Sequence, residues 1–445
     1  MKRFFNNYWI KSGFFTLSQR LSIRLLGIVS FIVLVRLINE DQMGVWSLFL
    51  GLATMLDMLR NGLIKTSFVK YYSESSPEEQ KAIKTAGLIL NLIYSAITSI
   101  ILFFGSDLMA ALFNAPELAE MFRILSITVV LAIFFSHFEY LQQGAMSFKG
   151  IMWSYITKQG VLFILILASL TPYFANLTTF KLSLFHLFGV ASGGLVSFLF
   201  TKKMLTYTFI YNRPWIQKLW RFGRYGMATN LGSSLLTTAD QYLIAGLINT
   251  RSVGIYNVAV RTTNLFIMPS VAIADILYPK TVRSMAEKGT KEVKKLYENA
   301  VGATLAALIP AMIIVLLVPE FIIKLVAGDS YIMAKDVLRI SILTIIIRPF
   351  ITQFGTIINT LGKPKLNFLF VLGLALLGIC LNYLLITAMG YIGAAIANLC
   401  TLTVGLVISQ MILHKEAEIS FKEVLRCTGK YLTILPQKLL TKIRK

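Results

Sequence analysis

Apolar runs of about 20 residues recur along the whole of this 445-residue chain, and no polar block large enough for a soluble domain interrupts them. About 20 helical residues cross the hydrocarbon core of a bilayer, so an all-α polytopic membrane protein is expected. A composition of 56% hydrophobic and 14% charged residues agrees. The runs predict twelve transmembrane helices, near 12–38, 43–64, 83–104, 118–140, 151–174 and 180–201, then near 226–248, 252–278, 296–318, 335–360, 366–388 and 391–413. Lys2, Arg3 and Lys11 flank the first run, which is long and has no small-residue cleavage site, so it reads as an uncleaved span. Cys380, Cys400 and Cys427 lack pairing or metal-ligand spacing, so no disulfide and no zinc site is expected.

The formal net charge of +22 belongs to topology rather than to nucleic acid. Basic residues crowd alternate connections: Lys65 to Lys84, Lys149, Lys202 to Arg224, Lys280 to Lys295, and Lys363 with Lys365. The opposite connections hold little beyond Lys181, Arg251, Lys324 and Lys335, so both termini are expected in the cytoplasm. The tail after His414 alternates Lys and Arg with apolar residues and is expected to form an interfacial helix on anionic lipid, broken at Pro436.

The chain also repeats. Leu37-Ile38-Asn39 followed by Gly44-Val45-Trp46 recurs 210 residues later as Leu247-Ile248-Asn249 followed by Gly254-Ile255-Tyr256. Residues 120–128 are echoed by 336–344, which sets Arg123 opposite Arg339. The repeat divides the chain into an N-lobe (1–201), a basic cytoplasmic linker (202–225), a C-lobe (226–414) and a tail (415–445). Six spans per repeat keep both halves in one orientation, so a pseudo-two-fold axis along the membrane normal and a V-shaped central cleft are expected.

Charges inside the spans point to function. Arg20 and Arg24 lie one turn apart in the first span, on a face continued by Thr16 and Gly27. Each Arg near a helix centre costs ~2.5–3.5 kcal/mol in lipid, which argues against a lipid-facing position for the pair. At 1.5 Å per residue the two lie roughly 12 and 18 Å in from the cytoplasmic face, with Arg60 and Asp57 roughly 6 to 11 Å and Lys158 about 10 Å from that same face. Four cations with Asp57 as the obvious counter-charge predict an anion site, and guanidinium forks match phosphate oxygens. Arg261 and Arg348 lie deeper and extend a cationic path along the cleft; Arg36, Arg123 and Arg339 lie near helix ends, within snorkelling reach. The seventh span is unusually polar, running through Thr229, Asn230, Ser233, Ser234, Thr237 and Thr238 to Asp240. Three scattered His residues, with no nucleophile motif and no P-loop, argue against catalysis and against ATP-driven transport by this chain alone.

The repeat, the Arg pair and the twelve-span plan, with Leu361-Gly362-Lys363-Pro364-Lys365, Asn382 and Tyr391-Ile392-Gly393-Ala394-Ala395, resemble the bacterial oligosaccharide flippase (polysaccharide transporter) family of the multidrug/oligosaccharidyl-lipid/polysaccharide exporter superfamily. The resemblance implies a flippase of the bacterial inner membrane. It would move an undecaprenyl-diphosphate-linked oligosaccharide from the cytoplasmic to the outer leaflet by alternating access, for O-antigen, capsule or exopolysaccharide. A polysaccharide polymerase and glycosyltransferases are its implied partners. Related peptidoglycan-precursor flippases hold the diphosphate with arginines of the first two helices, matched here by Arg20, Arg24 and Arg60. Sodium-coupled relatives place a cation among helices seven, eleven and twelve, where Asp240, Asn382, Asn398 and Thr401 stand, so Na+ or H+ is the coupling ion expected, with no other cofactor. Two alternatives stay open: a cation-coupled multidrug exporter, which calls for an acidic or aromatic cleft, and a polymerase or ligase acting on lipid-linked sugars.

Overall fold

The computed structural model describes residues 8–171, 176–205 and 211–443. Lys2 and Arg3, the last residues of the span expected at 151–174, residues 206–210 of the expected linker, and Arg444 and Lys445 lie outside the described residues. The described chain is helical: α1 (Tyr8–Leu37), α2 (Glu40–Glu74), α3 (Pro77–Leu112), α4 (Glu117–Gly144), α5 (Phe148–Ala168), α6 (Thr179–Thr201), α7 (Arg213–Leu247), α8 (Thr250–Lys288), α9 (Thr290–Leu317), α10 (Pro319–Ala327), α11 (Ala334–Thr360), α12 (Pro364–Met389), α13 (Tyr391–Ala417) and α14 (Phe421–Ile443). Among the described residues nine of these are long and apolar enough to cross a membrane, so the chain is a multi-pass membrane protein. The expected spans correspond to α1–α9 and α11–α13. Several helices run well beyond the apolar run that announced them, α8 to Lys288 and α2 to Glu74.

The repeated Leu-Ile-Asn motif ends one helix and starts the next. Asn39 caps α2: its side chain accepts from the Gln42 amide at 2.9 Å, and Gln42 reciprocates at the Asn39 N–H. In the second copy Asn249 accepts from the Ser252 amide at 2.9 Å. The glycine five residues on lets two backbones nearly touch. A Cβ on Gly44 would lie 1.8 Å from the Thr250 carbonyl oxygen, and one on Gly254 would lie 2.0 Å from that of Glu40. Thr250 and Glu40 are themselves 210 residues apart, so the motif packs against its own repeat reciprocally.

The chain divides into two compact units, 1–234 with 249–254 and 235–248 with 255–445. In unit 1, α4 packs against α3 and α6, and α1 lies along α5. Its core joins Phe68, Tyr72, Ile83, Leu90, Tyr140 and Leu219. The expected linker is helical from Arg213 onward, and this first part of α7 presses on α2 through Gly62, Gly223 and Gly226. A Cβ on Gly223 would fall 1.6 Å from the Leu63 carbonyl oxygen. At this contact α2 carries a π-helical turn, Asn61–Lys65.

Unit 2 is built on a core that includes Val301, Leu305, Phe354, Ile357, Leu374 and Leu413. Two of its features depart from uniform spans. Helix α11 tightens into a 3₁₀ turn, Leu343–Ile346, before its last α-helical segment, Arg348–Thr360, which carries Pro349 in its first turn. The tail helix α14 folds back along α9, with Val424 and Thr428 buried and Lys422, Arg426 and Lys430 exposed. It runs without interruption through Pro436, where a break is expected from the sequence.

Candidate functional site: two buried polar cavities

In unit 1 a cavity of about 310 Å³ is lined by Asp57, Arg60 and Asn61 of α2, Ser136 and Glu139 of α4, and Tyr155 and Lys158 of α5, among others. The π turn sets this arrangement. It adds a residue to one turn of α2 and so rotates the later part of that helix relative to the earlier part. Asn61 thereby accepts from the Tyr140 hydroxyl at 3.0 Å, while Lys65 reaches Glu139 at 2.6 Å. Glu139 is only 4% exposed and takes a second hydrogen bond from Tyr155 at 3.1 Å. Lys158 stands 3.7 Å from Asp57 and over the Phe135 ring.

Arg60 is the least compensated group of the cluster. It is 2% exposed, donates one N–H to the Val129 carbonyl at 2.9 Å, and lies 5.4 Å from the Tyr94 ring centre. Its Nε and its other terminal nitrogen are buried without a hydrogen-bond partner. An unpaired donor on a buried charge costs more than a neutral one, so such a group is poised for an acceptor. Glu139 joins Asp57 as a counter-charge, which sequence reading did not foresee. With Lys65 included, three cations face two carboxylates.

The structure therefore brings Arg60 and Lys158 together. Arg20 and Arg24 sit on α1, which packs along α5, the helix of Lys158, but neither lines this cavity; Arg20 is exposed and Arg24 half-buried.

In unit 2 a second cavity, of about 230 Å³, is lined by Thr237 and Asp240 of α7, Asn264 of α8, Arg348 and Thr352 of α11, Gly378 and Asn382 of α12, and Asn398 and Thr401 of α13. All four residues expected for a coupling cation meet here. Asp240 accepts from the Tyr256 hydroxyl and from the Gln241 amide. Asn382 donates to the Gly378 carbonyl at 2.8 Å, leaving its own oxygen buried and unpartnered, and the Arg348 Nε is likewise unpartnered. Arg348, expected on the cationic path, thus shares the cavity of Asp240. Arg261 does not line it and donates to Asn257 one turn back on α8. Tyr256 escaped sequence reading as a site residue although the repeat contains it: Trp46, its counterpart, is a core residue stacked on Phe49.

This architecture has solved counterparts. The inward closed conformation of "Lipid II flippase MurJ" matches with a TM-score of 0.78, at 15% identity over 96% of this chain and 92% of that one. An inward-facing multidrug resistance MATE family transporter of the MOP superfamily matches with a TM-score of 0.75, at 15% identity over 89% and 96%. The fold is thus that of the two-lobe, twelve-helix MOP-superfamily transporters. The model of the family described as "Polysaccharide biosynthesis protein" matches residues 33–336, and the chain belongs to that family.

Curated relatives include the probable low-salt glycan biosynthesis flippase Agl15 of Haloferax volcanii, 23% identical over 46% of this chain and 44% of that protein. The lipopolysaccharide biosynthesis protein WzxC of Escherichia coli is 22% identical over 87% of this chain and 75% of its own length. The match thus spans less than half of Agl15 but three quarters of WzxC.

Proposed function

We propose that this protein is a flippase that carries a polyprenyl-diphosphate-linked oligosaccharide from the cytoplasmic to the outer leaflet of the bacterial inner membrane by alternating access. The observation that carries the reading is Arg60, a buried guanidinium with two unpartnered nitrogens on the wall of a polar cavity within membrane-spanning helices. A diphosphate is an anion whose oxygens match such donors, and a low-dielectric surround strengthens the pairing. Arg20 and Arg24 on α1, the helix packed along that of Lys158, would add to the positive charge that meets the headgroup. Names containing "flippase" among the relatives and solved neighbours support translocation rather than covalent change in the glycan.

The positive-inside pattern supports cytoplasmic termini. The N-lobe, linker, C-lobe and tail partition belongs to the same proposal, as do a polymerase and glycosyltransferases as working partners. A multidrug exporter of organic cations is disfavoured by the positive excess of the unit 1 cluster.

Leaflet-resolved translocation of an undecaprenyl-diphosphate-linked oligosaccharide in proteoliposomes tests the proposal. Wild type should move the lipid, Arg60→Gln and Arg24→Ala should slow it at least tenfold, and Arg24→Lys should show whether charge alone suffices. Wild-type rates from both arginine variants, or no movement by wild type, would overturn it.

A further inference from the structure

Whether a sodium ion suits the unit 2 cavity can be judged from its donors. Oxygens are present in Asp240, Asn382, Asn398 and Thr401, and a buried Asp is the usual partner of a transported cation. Asp240 is the one carboxylate among the lining residues, however, and each of its oxygens already accepts a hydrogen bond, from Tyr256 and from the Gln241 amide. Arg348 brings a full positive charge into the same cavity.

The donor set assembles, but one carboxylate whose oxygens are both hydrogen-bonded, sharing its cavity with a guanidinium, gives a charge balance that does not suit an inorganic cation.

We propose that Arg348 is the resident cation of this site: its guanidinium balances Asp240 where relatives would bind Na+, so this chain holds no sodium there. A tethered cation cannot be exchanged between the two sides of a membrane, so a sodium gradient cannot act through Asp240. The inference rests on the cavity alone and holds whatever the cargo is.

The test is thermal unfolding of the purified full chain in detergent, with NaCl titrated against choline chloride at constant ionic strength. Wild type should melt identically in both salts. Arg348→Gln removes a unit charge from the site, which at the effective dielectric of a protein interior corresponds to on the order of ten- to a hundredfold tighter cation binding. That variant should gain a saturable, sodium-specific rise in Tm, absent from Asp240→Asn/Arg348→Gln and from Arg348→Lys, which keeps the charge. A saturable sodium shift in wild type that Asp240→Asn abolishes would overturn the proposal. So would a monodisperse Arg348→Gln protein with no sodium response. Arg348→Met serves where Arg348→Gln fails to fold, and wild type against Asp240→Asn decides by itself whether sodium occupies the site.

Discussion

The two polar cavities solve the same problem differently. Each buries a carboxylate and at least one cation among membrane-spanning helices, in about 310 Å³ in unit 1 and about 230 Å³ in unit 2. In unit 1 the carboxylates meet cations directly, Lys65 on Glu139 at 2.6 Å and Lys158 on Asp57 at 3.7 Å, which leaves Arg60 as the surplus charge. In unit 2 Asp240 is held by neutral donors, and Arg348 stands in the same cavity, just after the 3₁₀ turn of α11.

The repeat sharpens the contrast. At the offset of 210, Asp240 corresponds to Ser30 and Tyr256 to Trp46, both buried in unit 1. At these matched positions the carboxylate–phenol pair therefore stands in the second half and not in the first. Unit 1 joins its carboxylates to cations by direct ion pairs; in unit 2 neutral donors hold the carboxylate, and the guanidinium stands in the same cavity.

The largest effect should come from breaking the direct pair. Lys65→Met strands a nearly buried Glu139 and should destabilise the detergent-solubilised protein by about 3 kcal/mol, because a half-removed buried pair leaves an uncompensated charge. Lys65→Met/Glu139→Gln should recover most of that loss, and a double-mutant cycle of thermal or denaturant unfolding measures the coupling. Coupling near zero would erase the distinction between the cavities.

A smaller loss, about 1.5 kcal/mol, at the low end for a hydrogen bond to a charged group, is expected for Tyr256→Phe, which leaves the Gln241 amide in place. The same unfolding measurement checks it. A loss as large as that of Lys65→Met would mean that Asp240 leans on a single partner after all.

The exposed pair Lys335–Glu320, 3.3 Å apart at the start of α10 and α11, supplies the lower limit. The hydrogen bond and charge of Lys335 hold the Glu320 carboxyl below its ordinary value of 4.5. The stability it contributes is present above that value and is lost as pH falls through the lowered one. Exposed pairs contribute little, so Lys335→Ala should leave Tm unchanged between pH 5 and 8; a clear drop would show a surface pair outperforming its exposure.

Much of the plan was legible in the chain. The spans could be counted because hydropathy is a property of a run, and Asn39 and Asn249 could be matched because both copies of the motif survive. The reason for the motif, a cap followed by a backbone contact through Gly44 and Gly254, needed coordinates. Of the expected cations, Arg60 and Lys158 came together in one cavity, Arg348 joined Asp240 in the other, and Arg20, Arg24 and Arg261 line neither. Glu139, not singled out in the sequence, lines the unit 1 cavity, and Tyr256 was hidden among ordinary aromatic residues.

The sequence by itself determined the order of the long helices, the polar character of α7 and which charges are costly in lipid, since these depend on the transfer cost of residues in short runs. Tertiary structure decided which charge meets which. Lys65 and Glu139 are 74 positions apart, and Asp240 and Arg348 more than a hundred. Their meeting depends on the rotation of whole helices, set here by the π turn of α2 and the 3₁₀ turn of α11, and no pattern of hydropathy encodes a rotation.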